Sequence, residues 1–259
     1  MPTPEAMERV LLEAIHREPD AEVIDRPDWK QVRTPSSRRS NHNKVVVARL
    51  ESGNADPLIA EVAAEHEARG ASFQWVVGPS STPSDLARRL LDAGLDLVGP
   101  SLGMARLIGD ETLALDVPGL TVEEVTTEAH VEAYADVTAA GWERGPAFRD
   151  TVAYIGRKYL SPSAPTRSWI ASLHGEPVAT SHLRLMSDCG YLQGCAVVPA
   201  RRRQGIYGAL VRHRLDVLRA MGIHVAVIFA AANTSGQGCR KLGFTTVCEA
   251  EFYEMKPQP

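Results

Sequence analysis

Apolar residues recur along this chain with two alternating periods. Over 5–17 ("EAMERVLLEAIHR") Val10, Leu11, Ala14 and Ile15 fall at helical spacing, which predicts an amphipathic helix. The polar stretch that follows, "DRPDWKQVRTPSSRRSNHN", has little period and predicts loop with short strands. The pattern then sharpens. "KVVVARL" reads as a strand and "DPLIAEVAAEHEARG" as a helix opening at Asp56-Pro57 and closing at Gly70. "SFQWVVG" is a second strand, and "TPSDLARRLLDAG" a second helix with proline near its start and Gly94 at its end. Two short strands are expected at 95–98 and 103–108, and 109–121 reads as a linker or crossing strand.

In the second half helices are expected at about 127–140 and 147–160. Two strands flank the turn His174-Gly175-Glu176-Pro177, and Tyr191–Val198 is one further strand. Gly205–Met221 is a helix, "HVAVIFAA" a strand, "SGQGCRKLG" a short helix and "FTTVCEAEFYEM" the last strand or strand pair. Both halves thus contain the order β-α-β-α-β-β. "LLDAGLDLVGPSLGMARL" and "CRKLGFTTVCEAEFYEM" each run from a short helix through a glycine into a strand with a methionine. The halves read as one repeated architecture, 1–115 and 120–259. The expected class is α/β with a mixed (α+β) sheet.

Composition narrows the function. The 259 residues are 44% hydrophobic and 23% charged, ordinary for a globular protein. A net charge of −4 argues against nucleic acid as a partner. The N-terminus shows no secretory pattern and no apolar run reaches membrane-spanning length, so a cytoplasmic protein without membrane association is expected. The four cysteines show no metal-ligand spacing, so no metal site and reduced thiols are expected.

Against that acidic background, "AVVPARRRQGIYGALV" is unusual. An apolar strand runs into Pro199, three arginines, Gly205 and a helix. A helix start presents unpaired N–H groups and the positive end of the helix dipole, a setting for phosphate. Gly205 lets backbone approach a ligand, and Arg201, Arg202 and Arg203 add positive field. Neither a P-loop nor a Gly-x-Gly-x-x-Gly fingerprint is present, so pyrophosphate of another cofactor fits better than ATP or NAD.

The segment resembles motif A of the GNAT acetyltransferase superfamily, Arg/Gln-x-x-Gly-x-Gly/Ala after a strand. Arg202 matches the first position, Gly205 the central glycine and Tyr207 the last, where Gly208 follows the departure from Gly/Ala. The resemblance spans about 120–255 and includes "CRKLGF". It implies a GNAT fold in the C-terminal half with acetyl-CoA as cosubstrate. Ala196, Val197 and Val198 would then meet the pantetheine arm. The pyrophosphate would lie against Arg202, Arg203, Gln204, Gly205, Ile206, Tyr207 and Gly208, with Asn233 and Ser235 on the pantetheine or adenosine side or serving as helix caps. The first half has "ESGNAD" where the phosphate loop would stand, and looks like a partial GNAT-like domain without a cofactor loop.

The resemblance also implies acetyl transfer to a primary amine of a small molecule or peptide, by direct attack, in a monomer or homodimer. A backbone N–H of the splayed strand, at Val197 or a neighbour, would polarise the thioester carbonyl. No glutamate stands on that strand; Asp188, His182, Glu143 or a water-mediated route are the alternatives for the base. Cys239 occupies the place of the family's tyrosine proton donor and is either that acid or a core cysteine. Trp142 and Glu143 lie where the family forms its acceptor wall. A non-catalytic acyl-CoA-binding regulatory module is the competing expectation.

Overall fold

The computed structural model describes residues 1–16, 18–109 and 116–257. In chain order the first elements are α1 (Pro4–Glu13), β1 (Glu22–Asp25), β2 (Trp29–Arg33), β3 (Lys44–Ala48), α2 (Ala55–Ala68), β4 (Phe73–Val77), α3 (Leu86–Asp92) and β5 (Asp96–Leu107). Then come β6 (Leu120–Glu124), α4 (Glu128–Gly141), α5 (Pro146–Lys158), β7 (Thr166–Leu173), β8 (Glu176–Leu185), β9 (Gly190–Tyr191) and β10 (Cys195–Val197). The chain continues through α6 (Ile206–Ala220), β11 (Val225–Ala231), α7 (Ser235–Lys241) and β12 (Thr245–Met255). Among the described residues no helix is long and apolar enough to cross a membrane.

The chain packs as two compact units, Met1–Ala105 with Phe229–Pro259, and Arg106–Ile228. The sequence-based division at 115–120 left the C-terminal strand with the second half; by packing, β12 lies in the first unit. There the strand order is β1-β2-β3-β4-β12-β5, with β12 antiparallel to both β4 and β5. Its Tyr253 is buried with Trp29, Trp75, Leu86 and Leu90, and its Ala250 with Leu11, Val46 and Val76. Trp29 and Trp75 meet edge to face at 5.4 Å.

Differences from the sequence reading have local causes. The expected helix 5–17 is α1, shorter at its C-terminal end; Arg17 lies outside the described residues. The strands expected at 95–98 and 103–108 form one strand, β5. β12 pairs with it from Asp96 to Ala105 and absorbs Gly99 (φ +146°) by a register shift at Phe252/Tyr253. Of the linker 109–121, residues 110–115 lie outside the described residues, and Leu120 opens β6, which pairs antiparallel with β7.

The second unit has the strand order β11-β9-β8-β7-β6, with β10 on β8. Val131, Tyr134 and Ala135 of α4 pack with Ala153 of α5 and Ile170 of β7. Ile206 and Leu210 of α6 are buried among Ala171, Leu173, Val178 and Ala179. The start of α6 is thereby pinned to the β7–β8 hairpin.

Candidate functional site

The single strand expected over Tyr191–Val198 is broken. β9 pairs with β8 and runs parallel to β11, with Ala226 opposite Gly190 and Val227 opposite Tyr191. After Leu192, whose N–H donates to Val227 O, the chain bulges through Gln193 and Gly194 (φ +52°). β10 then resumes on β8 alone, with Cys195 opposite Ser181, Ala196 opposite Thr180 and Val197 opposite Ala179. An extra residue on one strand bends it and ends its pairing, and the result here is a fork whose open side is the free edge of β10. Val198 N–H donates to Val178 O, and His182 N–H to Gly194 O. Alternation along the strand therefore turns the N–H groups of Cys195 and Val197 away from β8, toward the open side.

Beyond β10 a single 3₁₀ turn at Pro199–Arg201 leads to Arg203 (φ +63°) and Gly205 (φ +82°), the N-cap of α6. No side chain caps this helix, so its first-turn donors face whatever lies before them. Residues 202–205 are exposed.

The three arginines differ. Arg201 pairs with Glu176 at 2.6 Å. Arg202 turns back: Nη2 donates to Gly141 O at 2.8 Å, Nε donates to Val197 O at 3.2 Å, and Glu143 Oε2 lies at 3.3 Å. It ties β10 to the end of α4, where a Cβ on Gly141 would lie 2.8 Å from Ala196 Cβ. The backbone of Arg202 is in the turn, but its side chain braces the fork. Arg203 enters no ion pair among the described residues.

The expected catalytic residues lie in different settings. Glu143 (φ +52°) is exposed in the α4–α5 turn, in the surface pair with Arg202. Trp142 beside it is 51% exposed. Asp188 is exposed in the turn between β8 and β9. Cys239 is fully buried on α7, and Asn233 and Ser235 lie just before and at the start of that helix, all three in the first unit. The cap position of α7 belongs to Thr234 rather than to either of them. Among the described residues, no three His, Cys, Asp or Glu side chains are placed to hold a metal ion.

His182 does sit at the fork. The missing side chain of Gly194 makes its room, since a Cβ there would lie 2.4 Å from His182 Cε1. Its Nδ1 is 3.1 Å from Tyr134 Oη, and Thr138 and Thr180 share a hydrogen bond at 2.8 Å between the same α4 and β8. Removal from water, then the charge of Arg214, pushes the imidazole down to about 4, although a hydrogen bond with Gln193 opposes this. Burial also pushes the Tyr134 hydroxyl up to about 12. Between pH 6.5 and 4 the unfolded chain takes up a proton at His182 that the folded chain refuses, so stability falls as pH drops through that window. His182→Gln should flatten this part of the pH–Tm curve; equal slopes in both proteins would show that the imidazole is not held neutral.

In the first unit the corresponding gap is closed. Beyond the parallel pair β3–β4, Leu50 N–H donates to Thr82 O, Thr82 N–H to Ala48 O, and Thr82 Oγ1 to Leu50 O. Arg89 of α3 holds the turn before α2 through Ser52 and Asp56. The β3–β4 pair is bridged there rather than forked, although α2, like α6, has no side-chain cap.

The chain's likeness to known proteins agrees with this geometry. No curated protein matches it. A conserved Staphylococcus epidermidis protein of unknown function superposes with a TM-score of 0.74 at 13% identity, covering 97% of this chain and 100% of that one. A GCN5-related N-acetyltransferase from Kribbella flavida gives 0.68 at 15% identity, covering 100% and 97%. A tandem GNAT protein from the clavulanic acid biosynthesis pathway gives 0.60 at 13%, covering 98% and 88%. The likeness in fold thus extends over both halves. The model of the Acetyltransferase (GNAT) family matches residues 128–244, from the start of α4 to just before β12.

Proposed function

We propose that the chain transfers an acetyl group from acetyl-CoA to a primary amine of a small molecule or peptide, by direct attack. The observation that carries this reading is the fork between β9 and β10 opening beside the uncapped start of α6. A pyrophosphate fits the first-turn donors of α6 behind Gly205, and an extended pantetheine arm fits the free edge of β10 from Val198 back toward Cys195. Acetyl-CoA supplies the activated acetyl group. The Val197 N–H faces the side from which its carbonyl oxygen would be polarised. His182, held neutral and hydrogen-bonded to Tyr134 and Gln193, is the titratable side chain beside the bulge.

Absence of a glutamate on β9 and β10, and the burial of Cys239, favour a second reading, an acyl-CoA-binding module without turnover. Thiol release from acetyl-CoA against a panel of small amines and peptides separates the two. Release above the rate without amine supports the transferase; binding without release supports the module.

Full burial of Cys239 favours a packing role over a proton donor. Cys239→Ala is expected to lower stability by about 1–2 kcal/mol and leave kcat unchanged. A kcat lowered a hundred-fold in a protein with normal Tm would restore the acid role.

A further inference from the structure

Arg214 on α6 is a buried cation, 1% exposed, with no carboxylate bonded to it among the described residues. The carboxylate two residues on, Asp216, pairs instead with Arg219 at 2.5 Å. Arg214 Nε donates to Leu210 O at 3.1 Å and Nη1 to His182 O at 3.2 Å. Nη2 is buried and has no acceptor among the described residues. Removing an ion from water costs several kcal/mol unless a partner compensates, so a guanidinium left one donor short is a costly feature.

Its place explains the cost. On β8 the groups of Val178 and His182 face β10, and His182 O would ordinarily accept from the strand opposite. At that point the chain bulges, Gln193 N–H turning to Tyr191 O, and Arg214 reaches the carbonyl instead. The guanidinium therefore stands at the apex of the fork. Because it is planar, its Nη2 hydrogens run parallel to those already fixed on Leu210 and His182. The titratable groups that feel its charge are His182 of β8, Tyr134 of α4 and His213 of α6, the last also facing Asp216 and Glu124. Neither carboxylate is hydrogen-bonded to Arg214, whose acceptors among the described residues are both backbone carbonyls.

We infer that the buried charge of Arg214 stabilises negative charge on the departing sulfur of the thioester. This rests on the acetyl-CoA reading above. An arm that starts at the α6 end and follows β10 brings its sulfur to the bulge, beside the part of β8 whose His182 carbonyl Arg214 holds. As the acceptor nitrogen bonds to the acetyl carbon, the C–S bond breaks and its electron pair leaves on sulfur. The proton lost from nitrogen passes to solvent, and the guanidinium keeps its own protons. A fixed buried cation beside that sulfur favours the thiolate.

The test needs no acceptor. Calorimetry gives Kd for CoA and for acetyl-CoA from pH 6.5 to 9.5, on the wild type, Arg214→Gln and Arg214→Lys. In the wild type CoA should gain about ten-fold in affinity relative to acetyl-CoA across this range, equivalent to a thiol titrating about one unit lower when bound. Arg214→Gln should lose that gain and Arg214→Lys retain part of it. A wild-type ratio that does not change with pH overturns the proposal whether or not the variants fold, and so does an unchanged gain in Arg214→Gln. If neither nucleotide binds the wild type at any pH, the acetyl-CoA reading fails and this proposal with it; binding without the pH-dependent gain sinks the proposal alone.

Discussion

Gly205→Val is expected to abolish acetyl-CoA binding while leaving the fold in place. Gly205 has φ +82°, a conformation that costs a residue with a Cβ roughly 1–2 kcal/mol, and a β-branched one more. A Cβ would also come within 3.3 Å of Val117 Cγ2. Backbone rotation relieves both, but it turns the first donors of α6 away from the position where a phosphate would be held. Ile206 and Leu210 still anchor the helix, so far-UV circular dichroism should change little. Calorimetry should show Kd for acetyl-CoA raised at least a hundred-fold, about 2.7 kcal/mol. Arg203→Ala should cost only a few-fold, since its exposed charge acts through water and much of the contact comes from backbone. If Gly205→Val binds as the wild type does, this turn does not hold the cofactor.

The sequence revealed elements whose causes are local. α4, α5, α6 and the β7–β8 hairpin are legible because periodicity and turn residues within each segment determine them, and the turn at Gly205 because a glycine between arginines and an apolar helix has few structural uses. The break between β9 and β10 is not legible in the same way. "GYLQGCAVV" has an unbroken strand pattern, and the bulge depends on Arg214 and His182, both distant in sequence, for its backbone satisfaction and for the space over Gly194. Likewise "RRR" reads as one cluster, whereas the fold gives each arginine a different partner. His182 is legible in the sequence only as one of the alternatives for the base, with nothing to set it above Asp188 or Glu143. A signal existed in the glycine at 194, since a glycine within an otherwise continuous strand pattern marks a bulge or a close approach.

The location of β12 is the part of the fold that periodicity could not supply, and it sets the second large effect. A fragment of residues 1–110 is expected not to fold. Without β12, β4 and β5 lose the strand they both bond, and the two cores lose Tyr253 and Ala250. Each buried backbone group left without a partner costs about 1–3 kcal/mol, and several such groups exceed the roughly 5–15 kcal/mol that holds a whole domain. Removal of Tyr253 from beside Trp75 leaves a large cavity as well. The fragment 115–259 has the converse fault, a β12 with neither neighbour, and exposes both unpaired edges of a long strand, a template for aggregation. Joining residues 1–105 through a flexible linker to 229–259 should instead restore a cooperative thermal transition, because that combination contains the strands β1–β5 and β12 together. Thermal melts followed by circular dichroism on the three polypeptides decide the matter: a cooperative transition in 1–110 alone would mean that β12 is dispensable to the first unit.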